Sequence, residues 1–242
     1  DPQDMRKQAA KAFIDKAQLG DKLAVVAFTT SARVLASLTA IQSQSDRDSL
    51  KAAVDQVGSS GSTNLNAGLN GGFAELASDT DANALKKAAV FLTDGRGAYS
   101  PQSSAQYADR GWPVYTIGLG GSTDAALLAE IAATTGGKYT ALTDPSQLHI
   151  VYNEIAANIA SANTLLNTNF PLSQGQSRQV RLNIPTGQTS ATFFTGWPGS
   201  EVSTTLISPS GRQISPTTAN WDVYHAKGDV YEIYTLHYLE SG

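Results

Sequence analysis

The ten residues KKAAVFLTDG, positions 86–95, decide how most of this chain is to be read. Ala88 to Leu92 is a short unbroken apolar run, the pattern of a strand covered on both faces, and it passes directly into the polar turn Thr93-Asp94-Gly95. Working outward, LAVVAF at 23–28 repeats the pattern, the weaker VLASL at 34–38 follows behind a short turn, and WPVYTIGLG supplies a strand from Val114 to Ile117. The sequence between and around these runs has helical spacing. It predicts helices over Met5 to Leu19, Asp46 to Val57, about Leu65 to Ala77, SSAQYADRG, TDAALLAEIAATTGG and PSQLHIVYNEIAANIASA. Asp4 stands as the expected N-cap of the first helix and Gly20 as its stop. Strands alternating with helices imply an α/β fold: a doubly wound, mostly parallel, Rossmann-like sheet with helices on both faces.

Near Asn163 the rhythm changes. RQVRLNI, SATFFTG, VSTTLIS and VYEIYTLHY are short β-branched and aromatic runs, separated by the turn signals PTG, WPG and PSG. They predict a small all-β sandwich in which TLISPSGRQI is a hairpin turning at Ser208 to Gly211. The expected domains are therefore 1–162 and 165–242, the second incomplete at its C-terminus because the chain stops at LESG, where a further strand would follow. Tyr231, Ile233 and Leu236 read as packing of that domain, and Trp197 and Trp221 as core or domain contact.

Composition narrows the chemistry. The balance of 17 basic and 21 acidic residues, net −4, contains no basic cluster that would follow a phosphate backbone, so nucleic acid is excluded as a partner. Cysteine is absent, which removes disulfides, thiolate metal sites and cysteine nucleophiles together. No apolar run approaches the length of about 20 residues needed to span a membrane. Gly118-Leu119-Gly120-Gly121 follows a strand but lacks the spacing of a nucleotide loop, and His149, His225 and His237, expected on a helix, a loop and a strand, stand in no catalytic motif. The expectation is that the protein is not an enzyme.

One stretch asks for more than a helix start. GSTNLNAGL, positions 61–69, places two hydroxyls and two side-chain amides immediately before a helix. In an open parallel sheet such loops lie at the carboxyl ends of the strands, where ligands bind, and so does Thr93-Asp94-Gly95. The hydroxyl of Thr63 and the carboxylate of Asp94 are then candidates to converge on one hard cation, Mg²⁺, Mn²⁺ or Ca²⁺ and not zinc. The alternative reading is local: Ser62 or Thr63 caps the helix and Asp94 makes a turn.

The ordered series RKQAAKAFID, GDKLAVVAF, GSTNLNAGL, VFLTDG, VYTIGLG and LAEIAATTGGKY resembles the von Willebrand factor type A (vWA) domain over about residues 1–160. The resemblance implies a metal-ion-dependent adhesion site built from an Asp-x-Ser-x-Ser loop after the first strand, a threonine and an aspartate. Thr63 matches the threonine and Asp94 the aspartate. Asn64 and Asn66 then brace the loop or cap the helix. No Asp-x-Ser-x-Ser occurs here, and the near match Asp144-Pro145-Ser146 has leucine where the second serine belongs. The resemblance places that loop and its central strand just before the first helix, between the strands at Leu23 and Ala88 in the sheet. Both are expected to be missing, and metal binding by these 242 residues is expected to be weak or absent.

The resemblance further implies a bacterial secreted or cell-surface protein with an adhesion role, its ion capturing an Asp or Glu carboxylate of a protein partner. The alternative is a metal-dependent adaptor subunit of a chelatase-type ATPase.

Overall fold

The computed structural model describes residues 2–58, 62–81, 86–93, 96–120, 123–218 and 222–240, and of 2–4 the backbone alone. The chain divides into two compact units, Asp1–Ile159 and Ala160–Gly242. The first runs α1 (Pro2–Lys16), β1 (Lys22–Phe28), β2 (Ala32–Ala40), α2 (Gln44–Asp55), α3 (Leu65–Ser78), β3 (Ala89–Thr93), α4 (Gln102–Ala108), β4 (Val114–Leu119), α5 (Ala125–Thr135) and β5 (Tyr139–Leu142). A 3-10 turn at Pro145–Gln147 leads into α6 (Leu148–Ala160).

Strands β3, β4 and β5 form a parallel sheet in that order, with Ala89 opposite Val114 and Thr116 opposite Tyr139. Helices cover both of its faces, which the alternation of side chains requires. Val90 and Leu92 of β3 and Tyr115 and Ile117 of β4 pack with Ala9 and Phe13 of α1 and with Val151, Tyr152 and Ile155 of α6. Ala89 and Phe91, one residue out of phase, join Val114, Leu65 and Leu69 of α3, Tyr107 of α4, and Leu128 and Ile131 of α5. Each Val, Leu, Ile or Phe among them, taken fully out of water, stabilises the fold by about 1.5–3 kcal/mol. A third cluster sets Ile14 of α1 and Leu50 and Val54 of α2 against Leu23 and Val25 of β1.

β1 pairs antiparallel with β2, and among the described residues β1 and β3 share no ladder. Helix α3 spans the interval. The rings of Phe28 on β1 and Phe91 on β3 stack at 4.8 Å, and a Cβ on Gly68 of α3 would lie 2.7 Å from both rings. Glycine at 68 is what lets the helix sit down on the two strands.

Two local expectations change. Helix α1 starts at Pro2, so Asp4 lies inside the first turn and is not its N-cap. Strand β5 is an addition: its four residues, Tyr-Thr-Ala-Leu, are too few to show a period.

In the second unit β6 (Ser190–Gly196), β10 (Tyr231–His237) and β9 (Val223–Lys227) form an antiparallel sheet in that order. The two-residue strands β7 (Leu206–Ile207) and β8 (Gln213–Ile214) make the expected hairpin, closed by Gly211 at φ 86°. Tyr231, Ile233, Tyr234, Trp197 and Ala226 are buried, and the Trp197 indole donates to the carbonyl of Asp229 at 3.1 Å. Trp221 lies outside the described residues. His225, expected on a loop, stands in β9.

The sandwich is not completed among the described residues. RQVRLNI, expected as a strand, joins no ladder, and residues 177–188 make no hydrogen bond among the described residues. Alternation of Val180, Leu182 and Ile184 marks a one-sided strand, but a ladder also needs a partner edge, and none lies alongside. Among the described residues no helix is long and apolar enough to cross a membrane.

Candidate functional site

Three loops meet at the carboxyl edge of the first unit: Thr29 to Ser31 after β1, residues 62–64 before α3, and residues 96–101 after β3. Backbone hydrogen bonds join them. The Asn64 N–H donates to the Thr29 carbonyl at 2.7 Å, and the Leu65 and Asn66 N–H groups donate to the Ala98 carbonyl at 2.9 and 3.3 Å. Asn64 and Ala98 form an isolated parallel bridge.

The two asparagines divide the polar work. Asn64 is the N-cap of α3: its side-chain oxygen accepts from the Ala67 N–H at 3.2 Å, and its amide donates to the Thr30 carbonyl at 3.3 Å. Capping by Ser62 or Thr63 is therefore overturned. Helix geometry explains it, because only the residue directly before the first helical turn can reach the free N2 and N3 amides. The Asn66 oxygen accepts from the Ser100 N–H at 2.7 Å and from the Ser103 hydroxyl at 2.9 Å.

Thr63 is left half-buried, its hydroxyl making no hydrogen bond to a described residue, beside exposed Ser62. Its carbonyl faces Gly97, whose φ of +148° and lack of a side chain permit the approach. Asp94 and Gly95 lie outside the described residues, as does Gly61. Thr93, which precedes Asp94, ends β3 at the same sheet edge. Among the described residues no group of three or more His, Cys, Asp or Glu is placed to hold a metal ion. The donor type at this edge, a hydroxyl oxygen in a loop faced by a glycine, fits a hard divalent cation. Around it Thr29, Thr30, Ser31, Ser62, Arg96, Ala98, Pro101 and Gln102 are exposed, and among these Arg96 carries a charge.

The other end of α3 is fixed by charge. Lys87 donates to the carbonyls of Leu76 at 2.9 Å and Asp79 at 2.7 Å, filling acceptors that the helix end leaves open. The hydrogen bond from Lys22, 2.7 Å away, holds the Asp79 carboxyl below its ordinary range. With Lys22 opening β1 and Lys87 just before β3, Asp79 ties the starts of both strands to the helix that carries the Thr63 loop at its head.

A profile of the von Willebrand factor type A domain matches residues 3–154. The chain belongs to that family. The chain is 31% identical over 143 residues to calcium-activated chloride channel regulator 1 of the horse, Equus caballus, a match covering 58% of this chain and 15% of that protein. Among solved structures, a von Willebrand factor type A protein from Catenulispora acidiphila is similar at TM-score 0.58 and 20% identity, over 99% of this chain and 54% of its own. Proximal thread matrix protein 1 of the mussel byssus, in a form with a zinc-occupied MIDAS motif, is similar at TM-score 0.53 and 23% identity, over 63% of this chain and 39% of its own. The chain thus spans little more than half of these relatives at most, and at such identities the solved structures speak for the fold.

The residues that sequence reasoning did not assign are Gly97, Ser100 and Ser103. Their role depends on contacts some 34 to 37 positions away in sequence, which no local spacing reveals. The asparagines were visible as braces or caps, and the structure allots one to each task.

Proposed function

We propose that the vWA unit is a metal-ion-dependent protein-binding module of the adhesion type. Thr63 supplies a neutral ligand and Asp94 the charged one to Mg²⁺, Mn²⁺ or Ca²⁺, and a coordination position left open takes an Asp or Glu carboxylate of a partner protein. No bond is broken, so the molecule is a binding protein and not an enzyme. The observation that carries this reading is that Asn64 caps α3 and the Thr63 hydroxyl makes no hydrogen bond to a described residue at the junction of three joined loops. The hydroxyls of Thr29, Thr30, Ser31 and Ser62 and the exposed Arg96 around the loops are in keeping with an acidic visitor. A mussel thread matrix protein among the structural neighbours is in keeping with work outside the cell or on its surface.

The test is Mn²⁺ titration of the whole chain followed by NMR, since paramagnetic broadening registers weak binding. Amides of 62–66 and 96–100 broaden first; Asp94→Ala abolishes the effect and Thr63→Ala weakens it, because a carboxylate beside a dication contributes a full charge and a hydroxyl only a dipole. No local broadening at millimolar Mn²⁺, or equal broadening in wild type and Asp94→Ala, returns these loops to plain structural duty.

A further inference from the structure

We infer that Asn66 is the positioning residue of the Thr63 site, coupling the loop before α3 to the loop after β3 through one amide oxygen; this rests on the binding reading above. That oxygen uses both acceptor positions across the two segments, on the Ser100 N–H and the Ser103 hydroxyl. Ser103 is buried, so water does not replace the bond when it breaks. Further along the same helices the Tyr107 hydroxyl donates to the Leu69 carbonyl at 2.7 Å and the Gln106 amide to Asn70 Oδ1 at 2.7 Å. Helices α3 and α4 are thus joined rung by rung, and Asn66 is the rung nearest the loops.

Its place in the chain gives it leverage. Thr63 lies just ahead of Asn66 on one loop, and Ser100 follows Asp94 on the other. The Asn66 contacts therefore hold the helix that follows Thr63 against residues 100–103 of the other segment, without touching an ion. Magnesium-type ions accept little variation in ligand geometry, and residues that orient ligands typically control affinity about tenfold or more when removed.

Hydrogen exchange tests the coupling in the whole chain without metal. Asn66→Ala speeds exchange of the Ser100 amide at least about tenfold and leaves the amides of β4 unchanged, whereas Asn66→Asp, which keeps an oxygen acceptor, preserves protection. Mn²⁺ titration of the same proteins then shows the midpoint for broadening of 62–66 rising about tenfold in Asn66→Ala and not in Asn66→Asp. Should Asn66→Ala fail to fold, Ser103→Ala, which removes one of the two bonds, carries the same expectation at smaller size. Unchanged Ser100 exchange in the alanine variant overturns the inference, as does an unchanged Mn²⁺ midpoint. A wild type that ignores Mn²⁺ sinks the metal reading instead, and Ser100 exchange still decides the coupling.

Discussion

A Cβ on Gly97 would lie 2.1 Å from the carbonyl oxygen of Thr63, inside any possible contact distance. The backbone at Gly97 also has φ +148°, which side chains with a Cβ rarely adopt. The loops before α3 and after β3 are therefore in contact only because position 97 carries no side chain. Gly97→Ala is expected to cost about 1–3 kcal/mol by this strain and to part the Asn64–Ala98 bridge. Denaturant unfolding together with exchange of the Leu65 amide, which donates to Ala98, checks it. A stable variant with Leu65 still protected would mean that the loops tolerate separation.

Lys16, at the end of α1, donates to Asn153 Oδ1 on α6 at 2.8 Å, and burial pushes its ammonium down to about 8. In the unfolded chain it titrates near about 10.4. Below pH 8 both states hold the proton and the folded state bears the full cost of the buried charge. Between about 8 and 10.4 the unfolded state binds more protons, so this group's contribution to stability rises with pH. Lys16→Met is therefore expected to be more stable than wild type by about 1–3 kcal/mol at pH 7, the gain shrinking by pH 9.5. Urea unfolding of both proteins at the two pH values measures it, and the difference cancels all other titrating groups. A gain independent of pH would point to packing in place of charge.

The fold of the vWA unit was legible because two-sided burial writes itself as apolar runs: AVFLT and VYTIGL hold side chains for both faces, as their contacts confirm. Where one face was open or the strand short, as at Tyr139–Leu142 and Val223–Lys227, the sequence had no period to show. RQVRLNI failed in the opposite sense, having the period without a neighbour. At the candidate site the residue types were legible but their assignment was not. Which of Ser62, Thr63 and Asn64 caps α3 depends on where the first turn begins, and Thr29 and Ala98 help settle that from distant parts of the chain.

Glu232 is buried on β10 and accepts from the Thr204 N–H at 3.0 Å and the Tyr234 hydroxyl at 3.1 Å, with His225 Nε2 at 2.9 Å. Burial raises its carboxyl, yet the hydrogen bonds from His225, Thr204 and Tyr234 together outweigh burial and hold it below the ordinary glutamate value. The stability it gives is thus present above about pH 4.3 and lost as pH falls through the lower folded value. Glu232→Ala takes the acceptor from the Thr204 N–H and leaves the Tyr234 hydroxyl only the Thr204 carbonyl at 3.2 Å, and is expected to destabilise the second unit by about 2–4 kcal/mol. Thermal unfolding followed at Trp197 should shift while exchange protection of β4 in the first unit stays constant. Loss of protection in both would show that the units do not fold separately.

The last expectation concerns the first part of the second unit, ahead of its first strand. Residues 161–189 hold no helix or strand, Arg178 and Arg181 are exposed, and residues 177–188 carry no hydrogen bond among the described residues. A protease needs about this: an extended backbone free to enter its cleft, which a ladder strand or helix denies. The lysines and arginines of the vWA unit lie mostly on helices and strands, such as Arg47, buried on α2 with its guanidinium donating to the Ala17 carbonyl at 2.8 Å. Limited trypsin digestion is therefore expected to cut first at Arg178 and Arg181, before any site within α1 to α6. Two resistant products should follow, one ending at 178 or 181 and carrying the parallel sheet, the other beginning after it and carrying the β6, β10 and β9 sheet. Mass spectrometry of the digest identifies them, and circular dichroism separates the helical piece from the β-rich one. Resistance at Arg178 and Arg181 would show that 178–184 is paired in solution as its alternation of Val180, Leu182 and Ile184 first suggested, and the separation into two bodies would then lose its clearest support.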